Sequence, residues 1–307
     1  MNLLIAILFI VVGFIFLVKG ADLFVESASS VAKKLGVSSL IIGLTIVAFG
    51  TSMPELAVSV TAALQGANEI AVGNVVGSNI INLLIVAGGS ACIYPIVVNK
   101  TILNRDWPIS IIAAVLLTIM LIDQKVSILE GAILLVCFVT MLVVQIKQTK
   151  KSEDIQADTN DSFKKLFLFL IIGIAGIVIG GQLVVDGATS LARIMGLSET
   201  LIGLTIVAFG TSLPELVTSL VAAKKGENEI AMGNVIGSNL FNIFCILGVS
   251  AVLHPIAVEA TAIIDALILV LVSIVFWLLC RIHKFDRKIG TFMLITYFSY
   301  MIYIIIR

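Results

Sequence analysis

The sequence predicts an all-α integral membrane protein with ten transmembrane helices. Of its 307 residues, 60% are hydrophobic and only 12% are charged, and the mean hydropathy is +1.18. A soluble globule of this length needs more polar surface than that. Apolar runs long enough to cross roughly 30 Å of hydrocarbon recur along the chain, which favours helices over the ten-residue alternation of a membrane barrel.

The ten helices follow from the apolar runs and the polar residues between them. The first run covers residues 3–18, and we expect the half-polar segment after it to finish that helix and then form a loop. The other predicted helices cover about 40–64, 71–95, 108–122 and 127–146 in the first half of the chain, and about 166–185, 201–223, 231–253, 261–280 and 289–306 in the second half.

The two halves of the chain repeat each other around a polar linker. Residues 41–56 read IIGLTIVAFGTSMPEL and residues 201–216 read LIGLTIVAFGTSLPEL, with fourteen of sixteen positions identical. Residues 66–82 and 226–242 match at twelve of seventeen positions with the same offset of 160. The sequence therefore predicts one membrane domain over residues 1–307, made of a first repeat (1–146), a linker (147–165) and a second repeat (166–307). Because five helices are an odd number, the second repeat should cross the membrane upside down.

Basic residues indicate how the chain is oriented. If the amino terminus lies outside, fifteen of the nineteen Lys and Arg residues fall in internal segments. Equivalent loops also differ in charge, since Lys224 and Lys225 replace Leu64 and Gln65. The positive-inside rule then predicts external termini and a cytoplasmic linker in the plasma membrane.

The repeated stretch predicts a break in helices 2 and 7. Pro54 and Pro214 have no backbone N–H, so the carbonyl four residues earlier loses its helical donor. In a bilayer such carbonyls persist only when something polar satisfies them, as a bound cation does. Each proline is followed by a glutamate, Glu55 or Glu215. A carboxylate at such depth costs about 2.5–3.5 kcal/mol on insertion scales, which makes it a functional-site hypothesis.

The polar side chains around the two breaks all offer oxygen. Hydroxyl, amide and carboxylate oxygens are ligands of hard cations such as calcium and sodium, rather than of zinc or copper. Two buried carboxylates repel each other, and one divalent or several monovalent cations would relieve that repulsion. The candidate ligands are Thr51, Ser52, Glu55, Ser78 and Asn82, with Thr211, Ser212, Glu215, Ser238 and Asn242 in the second copy. We expect Asn74 and Asn234 to bind broken backbone, and Glu26 and Asp186 to be solvated or interfacial.

At these residues the sequence resembles the cation/calcium antiporter superfamily, and most closely its prokaryotic sodium/calcium exchanger branch. The alpha repeats of that superfamily carry G-T-S-x-P-E followed by G-N-x-x-G-S-N, and here GTSMPE pairs with GNVVGSN and GTSLPE with GNVIGSN. The proton/calcium branch typically has an asparagine at the positions of Thr51 and Thr211. The resemblance covers essentially the whole chain.

The resemblance implies an antiporter that works by alternating access, with helices 1 and 6 sliding across the other eight. Glu55 and Glu215 would be the central calcium ligands and would also line sodium sites. Each flanking sodium site would use the Thr and two Ser residues of one repeat, completed by the carbonyl of Ala48 or Ala208. Asn82 and Asn242 would line the middle. The resemblance implies that calcium, sodium and the lipid bilayer are the partners of this chain. We expect no cofactor, no nucleic acid and no obligate protein partner.

One departure and several alternatives stay open. Many relatives have an aspartate at the position of Asn242, so here the central charge comes only from the glutamates, which disfavours potassium dependence. A proton/calcium or other cation/proton antiporter is the nearest alternative. A membrane-embedded enzyme would need a nucleophile or metal-binding histidine beside the glutamates, and a cation channel commonly takes its symmetry from several subunits.

Overall fold

The protein is an all-helical membrane protein, seen in a computed structural model that describes residues 2–147, 162–196, 206 and 208–306. In the first half, the helices are α1 (Leu3–Leu35), α2 (Ser39–Thr51), α3 (Met53–Leu64), α4 (Asn68–Ile93), α5 (Ile102–Asp123) and α6 (Ile128–Lys147). In the second half, they are α7 (Phe163–Ile194), α8 (Ala208–Thr211), α9 (Leu213–Lys224), α10 (Asn228–Leu253), α11 (Ala260–Ile282) and α12 (Arg287–Ile306). Two short strands, β1 (Lys125–Val126) and β2 (Ile256–Ala257), pair antiparallel.

The described residues contain eight single helices long and apolar enough to cross a membrane. The pair α2 and α3 gives a ninth span, which is bent by 50°. The predicted helix over 201–223 begins mostly outside the described residues, which resume with α8. The all-helical membrane class is thus confirmed, whereas ten helices and the inverted repeats stay predictions.

Helices α4 and α10 form the centre of the molecule. Within their most apolar windows, 78% and 83% of residues are buried, against 22–44% in the other six single spans. Helices that face lipid can expose apolar side chains, but a site for ions must be shielded from hydrocarbon. The two helices that carry the GNVVGSN and GNVIGSN motifs are therefore in the right place to hold one.

The half-polar segment after residue 18 finishes helix α1 and is followed by a short loop, as expected. The helix continues through the half-polar segment to Leu35 and ends at Gly36, whose φ of 66° is the left-handed conformation that glycine favours. Helix α7 likewise runs past residue 185 to Ile194. The extra turns are stabilised because small and apolar side chains such as Ala21, Phe24 and Ala28 are fully buried.

Helices α1 and α7 pack along their length through glycines that recur every seven residues. These are Gly13 and Gly20 on α1, and Gly173, Gly180 and Gly187 on α7. A Cβ at Gly180 would lie 2.6 Å from the backbone N of Leu17, so no side chain fits there. Small residues allow such backbone contact between membrane helices. The two helices therefore form one close pair.

The corner between α9 and α10 binds α1 through ionic contacts. Lys225 Nζ lies 2.9 Å from Asp22 Oδ1 and 3.5 Å from Glu26 Oε2. Desolvation lowers the pKa of Lys225, but the hydrogen bonds and charges of both carboxylates outweigh it, so the pKa lies above its ordinary value. Ser29 Oγ also donates to Glu227 Oε1. Glu26 is exposed, and Lys225 is its partner.

Replacing Lys225 by glutamine, the residue at the equivalent position 65, is expected to lower the free energy of unfolding by less than about 1 kcal/mol, because both carboxylates are largely exposed. Since the pKa of Lys225 is raised, the ion pair stabilises at neutral pH and is lost as pH rises through that pKa. Melting curves in detergent should show a difference that disappears in high salt and at strongly alkaline pH. An equal loss in Lys224→Gln, the exposed neighbour, would exclude the ion pair as the cause.

Candidate cation-binding site

The site is built around two helix breaks. Helix α2 ends at Thr51 and α3 begins at Met53, with Ser52 between them at φ −86° and ψ 10°. In the second copy, Ser212 separates α8 from α9 at φ −88° and ψ 3°. The predicted break is confirmed, but it falls two residues before the proline, because proline fits well into the first turn of a helix. Each break leaves helix ends with free carbonyl and N–H groups.

Glu55 and Glu215 lie in the first turns of α3 and α9 and are fully buried. The positive end of a helix dipole stabilises a carboxylate at that position. Each carboxylate is held by the serine of the other copy: Ser52 Oγ donates to Glu215 Oε1 at 2.8 Å, and Ser212 Oγ donates to Glu55 Oε1 at 3.4 Å. The two breaks therefore face each other, and the two carboxylates are close enough to repel.

Several buried oxygens of the site have no hydrogen-bond partner. They occur as matched pairs from the two copies, namely Glu55 Oε2 with Glu215 Oε2, Ser78 Oγ with Ser238 Oγ, and Asn82 Oδ1 with Asn242 Oδ1. The hydroxyls of Ser78 and Ser238 lie near the carboxylates of Glu55 and Glu215, respectively. An unpaired buried polar atom costs about 1–3 kcal/mol, and more when it is charged. Six such oxygens in one symmetric set fit a site for a cation.

The threonine and alanine positions are less alike in the two copies. Thr51 is buried, and its hydroxyl contacts its own helix at Val47 O (3.1 Å) and also Asn234 Oδ1 (3.0 Å). Thr211 is only half-buried. Ala48 O accepts from Ser52 N at 3.1 Å. Ala208 is the first residue of α8, and its side chain lies outside the described part of the chain.

Asn74 and Asn234 support the glutamates through the backbone, as expected. Their Nδ2 groups donate to the carbonyls of Glu55 (3.2 Å) and Glu215 (3.3 Å). Each also donates to a serine one turn further on, Ser59 or Ser219. Because these bonds tie α4 to α3 and α10 to α9, they fix the position of each glutamate.

Two further asparagines, which were not among the predicted ligands, join the two helices that carry the site. Asn79 and Asn239 are the last residues of the two GNVVGSN-type motifs, and each donates to the backbone carbonyl of the other at 3.3 Å. Their position at the end of both motifs was the sequence feature that could have identified them. In addition, π-helical segments begin at Asn82 and Asn242, as often happens at functional sites.

The donor set suits a hard cation. Among the residues that the structure describes, no three His, Cys, Asp or Glu side chains lie close enough together to bind a metal ion. Calcium takes six to eight oxygen ligands, which include hydroxyl, amide and backbone oxygens as well as carboxylates. Two carboxylates with the neutral oxygens around them match that preference.

Comparison with known proteins identifies the family. The family model described as "Sodium/calcium exchanger protein" matches residues 5–147 and 165–306. Inner membrane protein YrbG of Escherichia coli (strain K12) is 39% identical over 290 residues, which cover 91% of this chain and 89% of that protein. Sodium/calcium exchanger MaX1 of Methanosarcina acetivorans is 36% identical over 293 residues, which cover 82% of this chain and 84% of that protein.

Solved structures give the same result. The sodium-calcium exchanger NCX_Mj, soaked with 10 mM Na+ and 10 mM Sr2+, matches with a TM-score of 0.87 and 33% sequence identity over 97% of this chain and 98% of that one. The fold is that of a cation transporter. The chain belongs to the sodium/calcium exchanger family, in the prokaryotic branch of the cation/calcium antiporter superfamily. The resemblance inferred from the doubled motifs is thereby confirmed.

Proposed function

We propose that this chain is a sodium/calcium antiporter that works by alternating access, with Glu55 and Glu215 as the central calcium ligands. The observation that carries the proposal is the symmetric set of six unpaired oxygens around two fully buried carboxylates. No side chain of opposite charge makes a salt bridge with either carboxylate among the described residues. A bound cation would supply that charge.

The same geometry explains why two kinds of cation would be exchanged at one site. With a charge of minus two in a region of low dielectric, the site is unstable without cations. One calcium ion neutralises both carboxylates, and several sodium ions do so at flanking positions. Because both occupants need the same oxygens, they would compete, and competition for one site is what an antiporter requires.

The flanking sodium sites would each use oxygens from one repeat. The first would take Thr51, Ser52 and Ser78 with the carbonyl of Ala48. The second would take Thr211, Ser212 and Ser238 with the carbonyl of Ala208. Asn82 and Asn242 lie one turn beyond the two motif serines on α4 and α10, so they would line the middle.

We further propose two inverted halves, residues 1–146 and 166–307, with external termini and a cytoplasmic linker (147–165) in the plasma membrane. The reciprocal contacts support the symmetry, since Ser52 binds Glu215 and Ser212 binds Glu55. The distribution of basic residues supports the orientation. The close pair α1 and α7 would move as one unit against the remaining helices, because its seam is backbone against backbone.

Calcium-45 uptake into proteoliposomes tests the assignment. Vesicles loaded with sodium and diluted into sodium-free buffer should take up calcium, and a matched proton gradient without sodium should not drive it. Uptake driven only by the proton gradient would indicate proton/calcium exchange and would contradict the proposal. The absence of calcium flux under both gradients would overturn the calcium assignment.

The two serines at the breaks should differ in their effect on affinity. Ser52→Ala removes a bond of 2.8 Å to a buried carboxylate, whereas Ser212→Ala removes one of 3.4 Å. A hydrogen bond to a charged group contributes about 1.5–3 kcal/mol, so Ser52→Ala is expected to raise the half-saturating calcium concentration by about tenfold or more. The calcium dependence of sodium-driven uptake measures it. A larger effect in Ser212→Ala would contradict the geometry.

A further inference from the structure

Asn79 and Asn239 join the two central helices where they cross. Asn79 Nδ2 donates to Asn239 O, and Asn239 Nδ2 donates to Asn79 O, both at 3.3 Å. Both side chains are buried. Their contacts with backbone are reciprocal, but their contacts with the neighbouring amides of the site are not.

The hydrogen bonds fix which way Asn242 points. A backbone carbonyl can only accept, so Asn79 must present its NH2 group to Asn239 O, and its own Oδ1 then faces Asn242. That oxygen also can only accept, so Asn242 must present Nδ2 to it, at 3.0 Å. The remaining atom of the amide, Asn242 Oδ1, is therefore turned away from Asn79. It is buried and has no hydrogen-bond partner.

The equivalent amide in the first repeat is not fixed in this way. Neither side-chain atom of Asn82 has a hydrogen-bond partner, and Asn239 Oδ1, which would be the acceptor by symmetry, is also unpaired. The middle of the site therefore has one amide whose orientation is fixed by a hydrogen bond and one whose orientation is not. The two ends of an amide have opposite partial charges, so orientation decides whether a cation meets an oxygen or an N–H group.

We propose that Asn79 is a positioning residue that holds the carbonyl oxygen of Asn242 toward the transported cations. This role rests on the proposed function, because it names the residue that orients one ligand of that site. It gives the site a preoriented neutral oxygen beside the two carboxylates. Without Asn79, the amide of Asn242 would rotate freely, and part of the population would present N–H groups to the cation.

The matched variants are Asn79→Ala and Asn239→Ala. Each removes one amide-to-backbone bond across the same helix crossing, but only the first releases Asn242. We expect similar melting temperatures without calcium, and a half-saturating calcium concentration raised about tenfold in Asn79→Ala alone, with little change in maximal uptake. Equal changes in the two variants, or a change in melting temperature only, would overturn the proposal. Asn79→Ser and Asn239→Ser repeat the comparison with smaller cavities.

Asn242→Asp supplies a test that a purely structural role would not pass. Both atoms at the end of an aspartate are oxygens, so its orientation no longer matters. In that background, Asn79 Oδ1 would face a carboxylate oxygen that cannot donate a hydrogen bond to it, so adding Asn79→Ala should not raise the half-saturating calcium concentration. A further tenfold rise would contradict the role of Asn79. Glu55→Gln separates the two hypotheses: if it abolishes calcium binding while Asn79→Ala binds normally, the transport site stands and the positioning role fails.

Discussion

Calcium exchange is expected to be lost when either Glu55 or Glu215 is replaced by glutamine. Each variant halves the negative charge of the site, which then no longer balances a divalent cation. Both carboxylates are fully buried, and each has one oxygen without a hydrogen-bond partner. Sodium-driven calcium-45 uptake should fall by at least about a hundredfold, since a charged ligand in such a place contributes about 3 kcal/mol or more.

The same variants should not destabilise the protein in the absence of calcium. Removing one of two like charges in a buried place relieves repulsion, so the melting temperature in calcium-free detergent should stay the same or rise. Calcium should stabilise the unsubstituted protein by mass action and no longer stabilise the variants. A variant that loses transport but keeps its stability has lost a residue that is needed for binding rather than for folding.

Glu69 provides the matched control for these variants. It also lies in the first turn of a helix, α4, but its side chain is exposed. Glu69→Gln should keep both sodium-driven uptake and the stabilisation by calcium. Uptake that survives Glu55→Gln and Glu215→Gln while failing in Glu69→Gln would place the transport site elsewhere.

Sequence reasoning found the helix breaks because proline has a local effect on the backbone. Pro54 and Pro214 cannot donate a backbone hydrogen bond, so the helical hydrogen-bond pattern loses a bond near each of them. The exact position of each break could not be predicted, because proline is tolerated throughout the first helical turn. The breaks lie at Ser52 and Ser212.

The contacts between the copies could not be read from either copy alone. Ser52 lies three residues from Glu55 in sequence, yet it binds Glu215. That pairing depends on how the two breaks face each other, which is a property of the tertiary structure. The partner of Glu26 was hidden for a related reason, because Lys225 comes from another part of the chain.

Gly180→Ala is expected to separate α1 from α7. The added methyl carbon would lie 2.6 Å from Leu17 N and 2.7 Å from Gly13 O, and both are backbone atoms that cannot rotate away. Overpacking of this kind costs about 1–3 kcal/mol, and more where backbones must move. The melting temperature in detergent should fall, and transport should fall with it at every calcium concentration.

Gly181→Ala is the control on the same helix. Its methyl carbon would lie 3.5 Å from Pro214 Cγ, an ordinary contact, so stability should be unchanged. Saturating calcium should restore much of the uptake in Ser52→Ala, where a ligand contact is weakened, but not in Gly180→Ala, where the helix pair itself is disturbed. If Gly180→Ala and Gly181→Ala melt at the same temperature, α1 and α7 do not share a close backbone seam, and their movement as one unit loses its physical basis.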